Sequence, residues 1–388
     1  MVKKSKGFTL VELLAVIVIL AVILVIAVPS IMDTIKESRK GALASSAKLI
    51  ASSAETAYIS NQTLGIEKDI ECSDVAQLTS EDYTSCSIKF VDGKAQVTLV
   101  GQGKFEGMAV CGGTKEEAEV EEPKGGKCPT PFEKDDWATI KAAVDAEKSG
   151  EVGAASKYKV GDTRPIKLVI NNEEKTYTVR IANKSTPTEC SQTGFSQTAC
   201  GFVVEFADII TTHNMNPSGE YKGTTYQYGW NKDGWPGSQM HDYINVTEET
   251  GSRTIYNALP EELRNAIIDT KVVSSLGNKD KSRAEGNFVS TDKLYLLSPK
   301  EVYGTSFTNS NDTSLGTSRQ LDWYEENGVT ISSYSNAIKK DGSSAFVWWL
   351  RSANSNSTGD FYFVSEIGTW NCGNANYANG VSPAFRLG

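Results

Sequence analysis

The sequence predicts an α+β protein in which one long helix is followed by two regions of short strands. After an apolar run over residues 8–28, apolar side chains recur at three- and four-residue steps from Ile31 to Ala57, which is typical of a helix with one buried face. Residues 88–110 alternate around Asp92-Gly93, a dipeptide that favours a tight hairpin turn. Residues 158–388 contain many short apolar runs separated by Asn-, Ser- and Gly-rich segments.

The composition restricts the possible functions. With 388 residues, the chain is long enough for two or three domains that each have a core. The net charge of −9 argues against nucleic-acid binding, because that function needs a concentrated basic face. The two histidines, His213 and His241, lie far apart in sequence. A His-rich metal site or acid–base site is therefore not expected.

Six of the seven cysteines form three neighbouring pairs in the sequence, which leaves Cys372 alone. The pairs are Cys72 and Cys86, Cys111 and Cys128, and Cys190 and Cys200. No CxxC pair occurs, which argues against a zinc ribbon or a thioredoxin-like site. Three local disulfides in an exported protein are predicted. The alternative is that these cysteines are unpaired and buried as small apolar residues.

The N-terminus carries a candidate membrane span. Lys3, Lys4 and Lys6 precede an apolar run over residues 8–28, long enough to cross a bilayer as a helix with the basic flank in the cytoplasm. A cleaved secretory signal would have a shorter apolar region and a small-x-small site. A plain anchor would not place Glu12 in the span, because a charge there is costly.

The stretch Gly7-Phe8-Thr9-Leu10-Val11-Glu12 resembles the processing motif of type IV prepilins. The resemblance implies that a prepilin peptidase cuts after Gly7 and that the amine of Phe8 is methylated. It also implies that Glu12 pairs with the N-terminal amine of a neighbouring subunit in an apolar filament core. The expected partners are the membrane, the peptidase and other pilin subunits. The expected location is the cell membrane and then a surface pilus.

This resemblance divides the first part of the chain into a leader over residues 1–7 and a pilin spine helix over residues 8–60, kinked near Pro29. Ile31, Ile35, Ala47, Ile50, Ala54 and Ala57 form the apolar stripe expected to pack on a head domain. Residues 61–115 resemble the small β-rich head of Gram-positive pilin-like proteins, with Cys72–Cys86 as a staple. Residues 116–157 are predicted to be an acidic linker and connecting segment, because five glutamates lie between residues 116 and 122.

The C-terminal region, residues 158–388, is predicted to contain few helices and many strands. The predicted elements are a hairpin over 167–181, a buried strand over 201–206, a helix over 258–268, a strand running into a turn over 293–302, and strands over 346–353, 361–366 and 381–387. The motifs WWLRS (348–352) and GVSPAFRL (380–387) bracket a loop-rich segment. This region resembles C-type-lectin-like domains of the formylglycine-generating-enzyme type, including the variable proteins of diversity-generating retroelements.

Relatives of that fold that bind iron need several histidines, and those that oxidise cysteine need paired active cysteines. Neither set is present, so we expect no enzymatic activity, no cofactor and no metal. Asn354, Asn356 and Asp360 could supply oxygens to calcium, but such residues are equally common in plain loops. Trp348 and Trp349 could stack on a sugar, although two Trp beside an Arg in an apolar run favour core packing and ion-pair scaffolding.

The segment WNCGNANYANGVSPAFRLG (370–388) is the candidate ligand-binding region. In the resembling retroelement proteins, adenines of AAC codons are mutated, which converts Asn to residues such as Cys, Gly and Tyr. Cys372 would then be one sampled outcome. Trp370, Ala375, Ala378 and Gly380 would be fixed scaffold. An ordinary Asn/Gly-rich surface loop is the alternative. The candidate ligand-binding residues are Asp360, Ser365, Thr369, Asn371, Cys372, Gly373, Asn374, Asn376, Tyr377 and Asn379.

Together these features predict a type IV pilin-like surface protein, a minor pilin or adhesin of a Gram-positive bacterium, that presents a binding domain to a protein or glycan ligand. A structural major pilin with a decorative domain is one alternative. A pseudopilin of a secretion or DNA-uptake system is another, although the acidic charge weakens direct contact with DNA.

Overall fold

The computed structural model describes residues 10–66, 68–79, 81–91, 93–123, 128–245 and 254–388, with the backbone alone at residues 20, 22–30 and 228. The chain forms two compact units, Met1–Pro129 and Thr130–Gly388. Helices and strands are both present, so the predicted α+β class is confirmed.

The N-terminal unit combines a long helix with an antiparallel sheet. Its elements are α1 (Leu10–Leu64), α2 (Cys72–Val75), β1 (Tyr83–Val91), β2 (Lys94–Gly101), β3 (Ala109–Gly113) and β4 (Val120–Glu121). The sheet order is β1-β2-β3-β4. Val91 pairs with Lys94, which leaves a two-residue turn that contains Gly93 at φ 75°. The predicted hairpin is therefore confirmed, while Asp92 itself lies outside the described residues.

The apolar stripe of α1 meets this sheet over part of its length. Ala47, Ile50 and Ala54 are buried against strand residues. Ile31 and Ile35 were predicted in the same stripe, but they stay 56% and 41% exposed, because the buried part of the helix starts only at Leu43. Within the described part of the chain, no helix combines the length and apolarity needed to cross a membrane. The predicted span over 8–28 includes residues 8 and 9, which lie outside that part.

The acidic segment is folded at its start. β4 pairs with β3, and Glu122 forms ion pairs with Lys36 (2.8 Å) and Lys40 (3.1 Å) on α1. Of the region predicted as a linker, residues 116–123 therefore belong to the N-terminal sheet and its contacts with α1. Residues 124–127 are not described.

The rest of that region belongs to the C-terminal unit. Two helices, α3 (Pro131–Lys134) and α4 (Trp137–Lys148), begin at capping residues Thr130 and Asp136. Trp137, Ile140 and Val144 are buried in the C-terminal core. The boundary between the units thus lies at Pro129, inside the segment predicted as one connector.

In the described part of the C-terminal unit, the strands form two larger sheets and three small hairpins. The antiparallel sheet β19-β7-β6-β5 consists of β5 (Thr163–Ile170), β6 (Glu173–Asn183), β7 (Val203–Phe206) and β19 (Ala384–Arg386). The mixed sheet β17-β16-β15-β18-β8 consists of β8 (Thr211–His213), β15 (Trp348–Ala353), β16 (Asp360–Val364), β17 (Trp370–Asn374) and β18 (Asn379–Val381). The hairpins are β9 (Gly219–Tyr221) with β10 (Thr224–Tyr226), β11 (Thr270–Ser274) with β12 (Phe288–Asp292), and β13 (Lys339–Asp341) with β14 (Ser344–Phe346).

The remaining helices are short. They are α5 (Gln239–Ile244), α6 (Ile255–Ala258), α7 (Glu261–Ala266), α8 (Pro299–Tyr303) and α9 (Asp322–Glu326). The single helix predicted over 258–268 is interrupted at Pro260, which caps α7. The turn predicted after Leu297 is instead α8, which begins with Pro299 and carries a capping box between Ser298 and Glu301.

Several strand predictions are confirmed. The hairpin over 167–181 is β5–β6, whose turn residues Asn171 and Asn172 both have positive φ, as a two-residue type I′ turn requires. The buried strand over 201–206 is β7, and the late apolar strands are β15, β16 and β19. The segment Trp370–Asn374, expected to be a loop, is strand β17.

A buried ion pair joins the core of the C-terminal unit. Arg351 on β15 donates from both terminal nitrogens to the two carboxylate oxygens of Glu301, each at 2.6 Å, and both side chains are 1% exposed or less. Glu301 also accepts hydrogen bonds from Thr198, Ser318 and the backbone amide of Ser298. Removal of one partner of such a pair costs about 3–5 kcal/mol, because the other charge stays buried without compensation. The interpretation of Arg351 as an ion-pair scaffold is confirmed.

A second buried carboxylate, Glu205 on β7, links the other sheet to its surroundings. Its oxygens contact Arg180 at 2.6 Å, Lys339 at 2.7 Å and the hydroxyl of Tyr324 at 2.9 Å. The guanidinium of Arg180 also lies over the ring of Trp323, at 3.3 Å from its centroid. Glu205 therefore ties β6, β13 and α9 to β7.

His241 on α5 lies between two carboxylates. Its Nε2 is 2.8 Å from Asp292 Oδ1, and its Nδ1 is 3.6 Å from Asp242 Oδ1. Trp235 Nε1 donates to the other oxygen of Asp292 at 2.8 Å. Burial alone would lower the pKa of His241, but the two carboxylates outweigh burial and raise this pKa to about 9. His241 is therefore protonated at neutral pH and holds α5 to β12.

We predict that this ion cluster makes the C-terminal unit less stable as the pH rises from about 6.5 to about 9. The pKa of His241 is about 9 in the folded chain and near 6.5 when unperturbed, so its contribution is complete below 6.5 and is lost as the pH rises through 9. The loss amounts to at most about 3 kcal/mol. This change in the free energy of unfolding can be measured by urea unfolding of the full chain at pH 6 and pH 9.5. Tryptophan fluorescence reports on this unit, because every Trp lies in it.

The matched control is His241→Gln, which should abolish this part of the pH dependence. An equal decrease of stability in the variant between the two pH values would show that His241 is not its source.

Candidate ligand-binding face

Strand β17 lies at one edge of the mixed sheet, where its residues alternate between two sides. It pairs antiparallel with β16, from Asp360 opposite Asn374 to Val364 opposite Trp370. Since successive side chains of a strand point to opposite sides, the predicted ligand-binding residues of β17 cannot all lie on one surface.

The inward side of β17 packs on the core. The ring of Trp370 lies 5.1 Å from that of Phe307 and 5.9 Å from that of Tyr362. Cys372 is half-buried against the same core and accepts a hydrogen bond from Asn354 Nδ2 at 3.2 Å. Burial raises the pKa of the Cys372 thiol, so a reactive thiolate is disfavoured. Among the described cysteines, Cys372 is the one outside a disulfide.

The other six cysteines form the predicted disulfides. Cys72–Cys86, Cys111–Cys128 and Cys190–Cys200 are each closed within one unit. The prediction of three local bridges is therefore confirmed.

The outward side of β17 carries Asn371 and Gly373 beside the ring of Phe363 on β16. Asn371 is exposed and Phe363 is half-buried. A Cβ atom at position 373 would lie 2.9 Å from Cε1 of Phe363 and 3.7 Å from the ring of Tyr377. Phe363 in turn packs edge-on against the buried Trp349, with ring centroids 6.0 Å apart. Gly373 thus leaves room for the half-buried Phe363 ring between Asn371 and Tyr377.

The turn after β17 extends the same surface. Ala375 is buried, because its amide donates to Gly359 O at 2.7 Å and its carbonyl accepts from Asn216 N at 2.9 Å. This anchor projects Asn376 and Tyr377 outward, and Tyr377 is 58% exposed. Asn376 Nδ2 donates to Ser218 Oγ at 2.9 Å. We call the surface of Asn371, Gly373, Asn376 and Tyr377, with Phe363 beneath it, the 371–377 face.

The other predicted ligand-binding residues lie elsewhere. Ser365 and Thr369 bond to each other through their hydroxyls at 2.8 Å, at the opposite end of the β16–β17 hairpin. Asp360 and Asn374 form a cross-strand pair on the same side as Cys372. Asn379 pairs with His213 between β18 and β8. The structure therefore gathers four of the ten predicted residues on the 371–377 face.

Asn231 occupies the centre of the loop that holds Asn354, Asn356 and Asp360. Its Nδ2 donates to Asn354 O at 2.8 Å, Ser357 O at 2.7 Å and Asp360 O at 3.0 Å. The side-chain oxygen of Asn354 accepts from Asn356 N at 2.9 Å. Carbonyl oxygens that could have faced a calcium ion are thus satisfied by an amide. Across the described ranges, no group of three or more His, Cys, Asp or Glu side chains could hold a metal.

The remaining aromatic and histidine candidates are structural. Trp348 and Trp349 are fully buried, so they provide core packing and cannot stack on a sugar. His213 stacks on Tyr243 with ring centroids 4.1 Å apart, and its Nδ1 lies 2.6 Å from Asn214 O. Burial lowers the pKa of His213, so its ring is neutral at pH 7.

Two residues that position the face were not predicted. Phe363 supports the outward side of β17, and its place could have been inferred from the alternation of FYFVSE. Ser218 contacts Asn376 from a segment far away in sequence, and no local signal indicates that contact.

The predicted processing residues lie at the start of the chain. Gly7 and Phe8 are outside the described residues. Glu12 is in the first turn of α1, and its side chain is exposed.

Comparisons with known families agree with this N-terminal motif. Residues 2–28 match a family model described as the prokaryotic N-terminal methylation motif, and residues 208–388 match one described as a domain of unknown function (DUF6273). No curated protein and no solved structure matches the chain. The N-terminus is therefore type IV prepilin-like, which implies prepilin processing, pilin assembly and a route from the membrane to a surface pilus.

Proposed function

We propose that the chain is a type IV pilin-like subunit, a minor pilin or adhesin, whose C-terminal unit binds a protein or glycan ligand through the 371–377 face. The observation that carries this proposal is that the two sides of β17 differ, one packed on the core and the other exposed. Its inward side is fixed by Trp370 in the core, while Asn371, Asn376 and Tyr377 are exposed on a rigid edge. We assign this unit a role in binding rather than catalysis, and its resemblance to C-type-lectin-like domains supports that assignment.

The chemistry of the face suits recognition. Tyr377 supplies a large, amphipathic ring with few rotatable bonds, and the two asparagines supply both donors and acceptors. Phe363 adds an apolar floor that Gly373 leaves uncovered. Because the residues beneath these polar groups are rigid, less conformational entropy is lost when a ligand binds.

Diversification of this segment is compatible with its packing. Ala375 is fully buried, and a Cβ on Gly380 would lie 2.6 Å from Ile209 Cδ1, so both positions constrain the residue that they hold. Asn371, Asn376 and Tyr377 are exposed and free to vary. Ala378 is exposed too, so its proposed role as fixed scaffold has no support from packing.

Assembly would use the first turns of α1. Leu10, Val11, Leu13 and Leu14 are 57–80% exposed, an apolar surface suited to the membrane and to neighbouring subunits. The location that we propose is the cell membrane of a Gram-positive bacterium before assembly and the pilus afterwards, with the C-terminal unit outside the cell.

We predict that Glu12→Ala leaves the protein in the membrane but prevents its incorporation into filaments. The substitution would remove the carboxylate that neutralises a subunit's N-terminal amine in an apolar environment. Immunoblots of sheared filaments and of membranes measure the distribution. Glu37→Ala, on the exposed side of the same helix, is the control and should assemble normally. Normal assembly of Glu12→Ala would refute the pairing role.

We predict that Asn371→Ala, Asn376→Ala and Tyr377→Ala together reduce ligand binding at least about tenfold, because an exposed Tyr at a binding centre contributes about 2 kcal/mol or more. Retention of purified filaments on a glycan array and on cell monolayers measures it. The unfolding midpoint should stay unchanged. The control is Glu366→Ala with Ile367→Ala, which alters exposed residues of the turn at the opposite end of the β16–β17 hairpin. Unchanged retention of the triple variant, or no retention of the parent, would favour a structural major pilin.

We predict that codons 352–388, sequenced across many cells of one population, vary at Asn371, Asn376 and Tyr377 and stay constant at Ala375 and Gly380. A neighbouring AAC-rich near-repeat should accompany this pattern. One invariant sequence without a repeat would eliminate diversification while leaving a fixed adhesin possible.

A further inference from the structure

A cavity of about 340 Å³ opens in the C-terminal unit, beside the last turn of α4 and the residues around β19. It belongs neither to the 371–377 face nor to the buried ion pairs. Val144, Phe202 and Ile268 form an apolar wall, whereas Lys148, Lys184 and Arg386 bring positive charge to its lining. A volume of this order accommodates a molecule the size of a monosaccharide or a short organic acid.

Arg386 is the central cation of this cavity. Its Nε donates to Cys200 O at 2.8 Å and its Nη1 to Gln197 Oε1 at 3.4 Å. Nη2 has no hydrogen-bond partner among the described residues, and no carboxylate there lies within ion-pair distance of Arg386. Burial lowers the pKa of Arg386, because the charged guanidinium is partly removed from water.

Gly201 creates a recess at Nη2. A Cβ atom on Gly201 would lie 3.6 Å from Arg386 Nη2 and 3.6 Å from Thr186 Oγ1. Gly201 has φ 73°, a conformation that favours glycine. The position therefore carries no side chain that would fill the recess between the two donors. A guanidinium edge beside a hydroxyl provides donors that suit the oxygens of an oxyanion.

The two lysines add to the positive field. Lys184 Nζ donates to Ala155 O and Tyr158 O, each at 2.8 Å, which leaves one of its three N–H bonds. Burial lowers the pKa of Lys184 as well. Lys148 is exposed at the rim, next to Glu147, the one carboxylate side chain in the lining. Three cations against one anion leave the cavity with a positive charge.

We propose that this cavity binds a small organic oxyanion, whose charged head contacts Arg386 Nη2 and Thr186 Oγ1 and whose body rests on the apolar wall. The shared chemistry is an oxyanion head, which is planar in a carboxylate and tetrahedral in a phosphate or sulfate. Arg386 Nη2 and the Thr186 hydroxyl can each donate to one oxygen of either head. This site is distinct from the 371–377 face, so its ligand is bound independently of the ligand of that face.

Titration calorimetry of the full chain in detergent at low salt tests the proposal, with glucuronate, hexanoate and inorganic phosphate as probes and glucose as the neutral control. We expect saturable binding of at least one anion and none of glucose. Added salt should weaken the binding, because Lys148 is exposed at the rim. Arg386→Gln should reduce affinity at least about tenfold, and Lys148→Glu should reduce it several-fold.

Lys281→Glu is the matched control, because Lys281 is exposed outside the cavity lining and its substitution makes the same charge change as Lys148→Glu. Its affinity should equal that of the parent. If tryptophan fluorescence shows that Arg386→Gln is unfolded, Arg386→Lys and Lys148→Glu decide the question. Binding of glucuronate or hexanoate would identify a planar head, and binding of phosphate alone a tetrahedral head. Absence of saturable binding by all three anions, or parental affinity in the folded cavity variants, would overturn the proposal.

Discussion

The contact between Arg351 and Glu301 constrains more of the C-terminal unit than any single apolar contact can. Neither charge is stable in the core alone, so β15 and α8 must be positioned together. The same two side chains also bond to the backbone carbonyls of Leu296 and Val273 and to the hydroxyl of Ser318. Segments far apart in sequence therefore meet at one point, and a unit with short helices and long loops gains a defined geometry.

Two other buried polar side chains do the same elsewhere in the unit. Asn231 binds two carbonyls of the loop between β15 and β16 and the carbonyl of the first residue of β16, and Glu205 joins β7 to β6, β13 and α9. Such interior networks replace regular secondary structure as the means of fixing loops, because each buried donor or acceptor needs its partner. The exposed residues of the 371–377 face can be adaptable because the layer beneath them is fixed.

Features set by residues close together in sequence were predictable, whereas contacts between residues far apart in sequence were not. The turns at Gly93 and Asn171 need positive φ, so their residue types alone indicate hairpins. The disulfides join neighbouring cysteines, and the prepilin-like motif is contiguous. Strand β17 was missed because asparagine disfavours strands; it forms because Trp370 is anchored in the core and β16 offers a pairing edge. The recess at Gly201 and the contact of Asn376 with Ser218 depend on residues brought together only by folding.

The strands β18 and β19 have a consequence for how the protein is made. Asn379 pairs with His213 and Phe385 pairs with Val204, so each of the two larger sheets includes a strand from the last ten residues of the sequence. Such distant pairings form late, since the long intervening loop must close first. A shift of reading frame anywhere in the preceding segment would remove β18 and β19 together. Such a chain would lack a strand of each larger sheet, so the fold of this unit depends on the correct reading frame through β19.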